Sequence, residues 1–309
     1  MRGLVALLAL GLAQAPSVFR TEVELVYVDV FVTKEGAPVS GLAAGDFRVE
    51  DNGVAQRVEV VGNELVPTTA VLVLDTSASV AGSKLVHLKE AARVFLAGLG
   101  ERDEAALVTF SHELVLLKDA SRDVAGVGSA LGRVRARGGT ALIDALYVCL
   151  KRRWGTGRPL VVLFTDGQDS ASWLENDDLL QAARESSALL HIVGTEPLPA
   201  HLRSPLLTLP RSRAFASTPQ EIESGYVYLL RRAAETTGGA YWPVESATRL
   251  PDAFRRILEA SNARYVLRYE AVGVPRVGRH RLEVSVRRRG VDVQARREYV
   301  VPASPPDFR

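Results

Sequence analysis

Cysteine and histidine are scarce in this chain of 309 residues, which has one cysteine, Cys149, and five histidines. A single cysteine excludes an intramolecular disulfide in any redox compartment. No histidine falls in a metal-binding motif, and the Gly-x-Ser-x-Gly, His-Glu-x-x-His and phosphate-loop patterns do not occur. These absences argue against zinc or copper sites and against the common hydrolases. The apolar helical pattern around Cys149 predicts a buried, inert thiol.

Net charge and long apolar runs are also limited. The chain carries 38 Lys and Arg against 36 Asp and Glu, a net charge of +2, which is too small to favour nucleic acid or an acidic membrane as a partner. The densest basic cluster, three arginines at 287–289, precedes Gly290 in a hairpin-like pattern. We interpret it as a solvated turn, with a binding patch as the alternative. No segment beyond the N-terminus reaches eighteen uninterrupted apolar residues, so we expect no transmembrane segment in the mature chain.

The N-terminus has the pattern of a cleavable signal peptide. Arg2 gives a short positive region, residues 4–12 form an apolar core too short to span a bilayer, and Ala13-Gln14-Ala15 matches a small-residue cleavage site. We therefore predict a signal peptide over residues 1–15, cut after Ala15, and a secreted or periplasmic protein. The alternative is an uncleaved apolar tail. No cysteine follows the cleavage site, which argues against a lipid anchor there.

The rest of the chain divides into a β-rich start (16–66), an alternating α/β segment (67–262) and a β-rich end (263–309). Alternation at period two marks strands near 23–32, 47–50 and 56–60, and again near 264–269, 281–286 and 291–301. Neither end has enough strands to bury a core by itself. We therefore predict one β-sandwich built from both termini, with an α/β unit inserted. That unit should contain a doubly wound, mostly parallel sheet. An irregular stretch at 197–219 is either a functional loop or an insertion without a role.

Three short segments of the α/β unit carry oxygen-bearing side chains at the ends of apolar, strand-like runs. They contain Asp75, Ser77 and Ser79, then Thr140, then Asp166. Ligands collect outside the carboxyl ends of the strands in an open parallel sheet, so we expect these side chains to converge on solvent-facing loops. Two carboxylates and three hydroxyls are hard donors that suit Mg²⁺, Mn²⁺ or Ca²⁺. For each serine taken singly, capping of the following helix is the alternative.

Together, Asp-x-Ser-x-Ser, Gly-Gly-Thr and Thr-Asp-Gly resemble the metal-ion-dependent adhesion site of von Willebrand factor type A domains. The resemblance spans residues 68–262 and every position of the pattern is present. It implies that Ser77, Ser79 and Thr140 bind the ion through their hydroxyls, and that Asp75 and Asp166 hold it through bound waters or directly.

The whole chain also resembles a group of secreted von Willebrand type A-related proteins of acidobacteria. The run that carries this second resemblance precedes the α/β unit and consists of Phe47, Val49, Asp51 and Gly53. The function of that group is poorly defined.

An ion held in this way keeps one coordination position open, which a carboxylate from a partner's Asp or Glu can fill. We therefore expect a metal-dependent protein-binding module for adhesion or assembly and not an enzyme. Trp173 is either a residue of the partner-binding rim or packed against its own helix. Two alternatives stay open: a structural module in which the ion only stabilises loops, and a metal-dependent hydrolase.

Overall fold

The structure is a computed structural model that describes residues 25–61, 66–166, 169–195 and 225–303. The predicted signal peptide at 1–15 and the loop at 197–219 lie outside the described residues. None of the helices in the described part of the chain is both long and apolar enough to span a bilayer.

Strands dominate both ends of the chain, and helices occur only between them within the described residues. The strands are β1 (Leu25–Lys34), β2 (Ala37–Pro38), β3 (Phe47–Asp51), β4 (Val54–Gln56), β5 (Val58–Val61), β6 (Thr68–Asp75), β7 (Glu104–Phe110), β8 (Leu114–Ser121), β9 (Arg158–Thr165), β10 (Leu189–Gly194), β11 (Ala240–Pro243), β12 (Tyr265–Glu270), β13 (Gly278–Val286), β14 (Asp292–Gln294) and β15 (Glu298–Val301). The α-helices are α1 (Ser83–Ala97), α2 (Val124–Ala130), α3 (Leu142–Lys151), α4 (Asn176–Glu185), α5 (Gly225–Thr236) and α6 (Leu250–Asn262).

The central element is a six-stranded sheet in the order β11-β10-β9-β6-β7-β8, parallel except for the edge strand β8. Every residue of β6 is buried, because helices cover both faces of the sheet, and this explains its continuous apolar sequence. Alternate strand residues point to opposite faces. Val71, Val73, Val161 and Leu163 pack with buried residues of α3, α4 and α5, and Leu72, Leu74, Val162 and Phe164 pack with those of α1, α2 and α6.

The strand order reverses between β6 and β9. From β6 the chain builds outward through β7 and β8, then crosses back to place β9 on the other side of β6. Helix α1 follows β6 and helix α4 follows β9, and they pack on opposite faces of the sheet. This arrangement opens a crevice at the carboxyl ends of the two strands. This end of the sheet carries Asp75, the last residue of β6, and Asp166, which follows the end of β9.

Two smaller sheets contain strands from both ends of the chain. One has the order β14-β1-β12-β5 and the other β15-β13-β3-β4. Four pairings join strands more than two hundred residues apart in the sequence: β1 with β12, β1 with β14, β12 with β5, and β13 with β3. A shared apolar cluster lies between the two sheets and includes Val30, Val49, Leu267 and Tyr269.

One buried carboxylate connects the two small sheets. The Oδ1 atom of Asp51 in β3 accepts a hydrogen bond from His280 Nδ1 at 2.8 Å. Its Oδ2 atom accepts from the hydroxyls of Tyr269 at 3.0 Å and Tyr299 at 2.7 Å. Three donors from β12, β13 and β15 therefore converge on one acceptor from the other end of the chain. His280 lies within β13 and is buried, because its ring is part of this network.

The C-terminal run at 291–301 is not one strand, as its alternation suggested, but two. Strand β14 pairs with β1 in the first small sheet and β15 pairs with β13 in the second. Between them the chain passes from one sheet to the other along the α/β unit. There Arg296 Nη2 donates to the carbonyl of Arg184 at 3.0 Å, and Gln294 Nε2 donates to the carbonyl of Gly239 at 2.7 Å. A corner of this kind interrupts the strand without breaking the alternation of its residues.

The small sheets contact the α/β unit at the amino ends of its strands. Arg158, the first residue of β9, forms an ion pair with Asp29 of β1. Arg184, in the last turn of α4, donates to the Glu298 carboxylate at 2.9 Å. Burial opposes ionisation of Glu298, but hydrogen bonds from Arg279 and Arg184 outweigh it and hold its pKa below the ordinary value. The junction and the crevice therefore lie at opposite ends of the large sheet.

Candidate metal centre

Asp75 links the ends of the two central strands. Its side chain has no exposed surface, its Oδ1 atom accepts from the backbone N–H of Ser77 at 2.8 Å, and its Oδ2 atom accepts from the Thr165 hydroxyl at 2.8 Å. Burial raises the pKa of Asp75, the nearby Asp166 carboxylate adds to that effect, and the hydrogen bonds from Ser77 and Thr165 oppose it. A cation beside this carboxylate favours its charged form.

The two serines point toward the Asp166 side of the crevice. Ser77 Oγ lies 3.0 Å from Ser79 Oγ, and Ser79 Oγ donates to Asp166 Oδ1 at 2.7 Å. The alternative that they cap the next helix is wrong. The side chain of Ser77 makes no capping hydrogen bond to the 3-10 helix Ala78–Val80, and the N-cap position of α1 is Gly82.

The loop that carries Thr140 is fixed to both other segments by backbone hydrogen bonds. The N–H of Ala78 donates to the carbonyl of Gly138 at 3.0 Å, and the N–H of Arg137 donates to the carbonyl of Thr76 at 2.7 Å. The carbonyl of Thr140 accepts from the N–H groups of Ser170 and Ala171 at 2.8 and 3.0 Å. The three predicted segments therefore meet at one end of the sheet.

Gly138 has a conformation that favours glycine at this position. Its φ is +78°, and a Cβ atom there would lie 1.9 Å from His112 Nδ1. The turn between β7 and β8, which holds His112, therefore packs against the Gly-Gly-Thr loop. A glycine in the left-handed region lets the chain turn toward the crevice without a steric penalty.

Asp169, which the sequence motifs did not indicate, organises the segment after Asp166. Its carboxylate accepts from the N–H groups of Ile143 at 2.9 Å, Ser172 at 2.9 Å and Ala171 at 3.1 Å. Burial opposes its ionisation, but these hydrogen bonds prevail and keep the pKa of Asp169 below the ordinary value. The cluster of Asp and Ser at 169–172 was the available signal, since these residues commonly bond to nearby backbone groups in turns.

Lys84 is a second residue of this centre that the sequence motifs did not indicate. Its Nζ lies 2.5 Å from Asp166 Oδ2, and the side chain is 44% exposed, whereas that of Asp166 has no exposed surface. Lys84 belongs to the first turn of α1, which contains no acidic residue. A lysine is unfavourable beside the positive end of a helix dipole. A lysine in the first turn of a helix therefore indicates that an acidic side chain lies nearby to compensate its charge.

The donor set fits a hard divalent cation. The predicted ligands, Asp75, Ser77, Ser79, Thr140 and Asp166, offer only oxygen atoms, as Mg²⁺, Mn²⁺ and Ca²⁺ require. The described residues contain no group of three or more His, Cys, Asp or Glu side chains suited to a metal. The predicted ligand set contains only two carboxylates, and its other donors are hydroxyls. It therefore stays a prediction.

The expectation that all these side chains lie on solvent-facing loops is wrong in part. Asp75, Ser77 and Thr140 are buried, whereas Ser79 is exposed. The physical reason is that the loops pack on one another through the hydrogen bonds described above.

Trp173 lies on the loop that leads from Asp166 to α4. Its backbone N–H donates to the Asp144 carboxylate at 3.1 Å, and its residue surface is 94% exposed. The alternative that Trp173 packs against its own helix is therefore wrong. Its role at a partner-binding rim stays a prediction.

Comparison with known proteins identifies the fold of the α/β unit. The family model described as von Willebrand factor type A domain matches residues 70–168, which include the predicted ligands. In a solved structure of a von Willebrand factor type A protein from Catenulispora acidiphila, the similarity covers 92% of this chain and 76% of that one, with a TM-score of 0.51 and 15% identity. The α/β unit has a von Willebrand type A fold.

Two curated relatives share part of the chain. Inter-alpha-trypsin inhibitor heavy chain H4 of Sus scrofa is 26% identical over 133 residues, which are 39% of this chain and 14% of that protein. Uncharacterized protein sll0103 of Synechocystis is 28% identical over 137 residues, which are 41% of this chain and 32% of that protein. The chain matches a third or less of the length of each of these relatives.

Proposed function

We propose that this protein is a metal-dependent protein-binding module. In this proposal Asp75, Ser77, Ser79, Thr140 and Asp166 hold Mg²⁺, or Mn²⁺ or Ca²⁺ in its place, and a partner's Asp or Glu carboxylate completes the coordination. The ion supplies a positive charge and an open position for an oxygen ligand. The protein side chains orient the ion and exclude water from part of its surroundings.

The observation that carries the proposal is the convergence of three distant segments on one crevice. The Ser79 hydroxyl contacts Asp166, the Thr165 hydroxyl contacts Asp75, and the Gly-Gly-Thr loop is bonded to the first segment. Oxygen donors from residues 75 to 166 are thereby brought together where parallel α/β sheets bind their ligands.

Binding explains the surroundings of this centre better than catalysis does. Hydrolysis by a metal-bound water needs a base that can reach it. His112, which packs against the Gly-Gly-Thr loop, has Nδ1 3.4 Å from Ser111 Oγ and Nε2 3.7 Å from Glu113 Oε1. The ammonium of Lys84 is paired with Asp166. We therefore propose that the chain is not an enzyme.

In the alternative, structural role, the ion only stabilises the loops. In this protein, hydrogen bonds between the loops already fix Asp75, Ser79 and Thr140 relative to one another. The protein's own groups thus hold the loops together, which favours a role for the ion outward, toward a partner. Trp173 supplies an exposed aromatic surface on the same end of the sheet, as binding hot spots often do.

We also propose an extracytoplasmic location, on the basis of the N-terminal sequence pattern. The partner is then a secreted, periplasmic or surface protein that presents an acidic side chain.

The test has two stages and one matched control. Mn²⁺ binding is measured by electron paramagnetic resonance for the wild type, Asp166→Ala, and Asp252→Ala, which removes an exposed carboxylate from α6. Immobilised protein is then used to capture partners from an extracytoplasmic extract, with Mg²⁺ or with a chelator. The proposal requires Mn²⁺ binding and chelator-sensitive capture that Asp166→Ala loses and Asp252→Ala keeps. Capture that is unchanged by the chelator supports the structural role. Equal Mn²⁺ binding by the wild type and Asp166→Ala contradicts the proposed metal centre.

A further inference from the structure

Lys84 is a cation that the chain places on one of the predicted metal ligands. Both carboxylate oxygens of Asp166 are occupied, Oδ1 by the Ser79 hydroxyl and Oδ2 by the Lys84 ammonium at 2.5 Å. A divalent ion that approaches Asp166 therefore meets a positive charge already in contact with its ligand.

The exposure of the two partners makes this contact reversible. The Asp166 side chain is buried and fixed, whereas 44% of the Lys84 side chain is exposed. Lysine has a long flexible stem, so its ammonium can move off the Asp166 oxygen when an ion binds and still stay beside the centre. In its present position, the ammonium also lies at the positive end of the α1 dipole, which lowers the cost of leaving.

Formal charges indicate what this lysine does to the loaded centre. Asp75 and Asp166 contribute two negative charges, Lys84 one positive charge, and a divalent ion two more. With the ion bound, the centre carries one net positive charge in a partly buried setting, where unpaired charge is costly. A partner's carboxylate brings that sum to zero.

We infer that Lys84 couples the metal to the partner: it weakens binding of the ion alone and favours the complex in which a carboxylate is also bound. This inference rests on the proposed metal centre. It assigns to Lys84 a function in selectivity, because a centre with this lysine retains its ion best when an acidic ligand is present. A coupling of this kind is reciprocal, so the ion and the carboxylate each raise the affinity for the other.

Removal of the charge tests the inference directly. Lys84→Met keeps an unbranched apolar stem and removes the ammonium. Lys89→Met makes the same change further along α1, where the ammonium donates to the carbonyl of Val134 at 2.9 Å. Mn²⁺ binding is titrated by electron paramagnetic resonance in sodium chloride and in sodium acetate of equal ionic strength, with acetate as the carboxylate probe.

We expect Lys84→Met to bind Mn²⁺ in chloride about ten-fold more tightly than the wild type, because a unit charge a few ångströms from the ion is worth at least that factor in a partly screened site. Acetate should tighten Mn²⁺ binding in the wild type and in Lys89→Met, and should do so less in Lys84→Met. The rise in unfolding temperature on addition of Mg²⁺ gives a second measure of ion binding. It should be larger for Lys84→Met than for the wild type and Lys89→Met.

The outcomes separate this inference from the function on which it rests. Equal Mn²⁺ affinity of Lys84→Met and the wild type, with Asp166→Ala impaired, overturns the role of Lys84 and keeps the metal centre. Absence of Mn²⁺ binding in every variant overturns both. If only Lys84→Met binds Mn²⁺ in chloride, the inference requires that acetate restores binding to the wild type, and a wild type that binds no Mn²⁺ in acetate either overturns the coupling. Circular dichroism of each variant confirms that it is folded before it is titrated.

Discussion

Replacement of Asp51 by alanine tests whether the two ends of the chain depend on each other. Asp51 precedes the α/β unit, whereas the three side chains that donate to its carboxylate, His280, Tyr269 and Tyr299, all follow it. In Asp51→Ala these three buried donors lose their acceptor together. The substitution therefore breaks a contact between the chain ends and leaves the α/β unit untouched.

The magnitude follows from the number of donors. The Tyr299 hydroxyl and His280 Nδ1 lie 3.1 Å apart and can bond to each other, so two donors rather than three stay unpaired. A buried donor without an acceptor costs roughly 1–3 kcal/mol, so the two cost roughly 2–6 kcal/mol before relaxation. Water that enters the space left by the carboxylate can satisfy part of this demand. We expect a loss of about 4 kcal/mol in the free energy of unfolding, which is large for one substitution. Glu50→Ala is the matched control, because Glu50 is the neighbouring residue of β3 and forms a half-exposed ion pair with Arg48. We expect less than about 1 kcal/mol for it.

Urea denaturation with two probes measures the effect and localises it. All three tryptophans, Trp154, Trp173 and Trp242, lie in the α/β unit, so their fluorescence reports its unfolding. Circular dichroism reports the strands of both units. If the small sheets unfold as a unit of their own, the circular dichroism of Asp51→Ala changes at lower urea than the fluorescence does. If the whole chain is cooperative, both transitions shift together. A difference of less than 0.5 kcal/mol between Asp51→Ala and Glu50→Ala, within about the error of such measurements, would refute the reasoning.

Three further predictions concern the metal centre and the junction. Asp166→Ala should lower Mn²⁺ affinity at least about ten-fold and cost on the order of 1 kcal/mol in stability, measured by titration and thermal unfolding; a collapse of the unfolding temperature would favour the structural role of the ion. Gly138→Ala should cost at least about 1 kcal/mol, because its φ is +78° and the new Cβ would displace His112, and should weaken Mn²⁺ binding, since the loop carries Thr140; wild-type affinity would contradict the assigned loop geometry. Glu298→Gln should be about 1 kcal/mol less stable than the wild type at pH 7. Because the pKa of Glu298 is lower in the folded protein than its unfolded value of 4.5, its ionised form stabilises the fold above pH 4.5. This contribution is lost as the pH falls through the pKa of the folded protein. The difference between the two proteins in urea denaturation should shrink below that pH, and a difference independent of pH would rule out the ion pairs as its source.

The large sheet was accessible from the sequence because its strands are buried on both faces. Strands β6 and β9 contain continuous apolar runs at 70–74 and 160–164, and polar residues follow each run directly. This pattern predicts both a parallel sheet and the edge at which the ligands lie. The three segments converge at that edge because of the order of the strands in the sheet. The three short motifs follow one another along the chain in the order that this arrangement requires.

Long-range side-chain contacts were not accessible in the same way. The contact between Lys84 and Asp166 joins residues 82 positions apart, and the contact between Asp51 and His280 joins residues 229 apart. Alternation assigns a strand residue to a face but does not name its partner across the core. The sequence pattern therefore did not indicate that Asp51 and His280 belong to one buried network.

The geometry of the large sheet separates what stabilises this protein from what we propose it binds. The small sheets contact the amino ends of the strands, through Arg158 and Arg184, while the candidate metal centre lies at the carboxyl ends. An eight-residue strand such as β6 spans roughly 25 Å, beyond the reach of direct contact and of most screened charge interactions. Asp51→Ala should therefore leave Mn²⁺ affinity unchanged under conditions where the protein is still folded, because the fixed loops around Asp75 depend on α/β packing alone. If Asp51→Ala weakened Mn²⁺ binding as strongly as we expect Asp166→Ala to do, the two ends of the sheet would be energetically coupled. The small sheets would then belong to the binding mechanism.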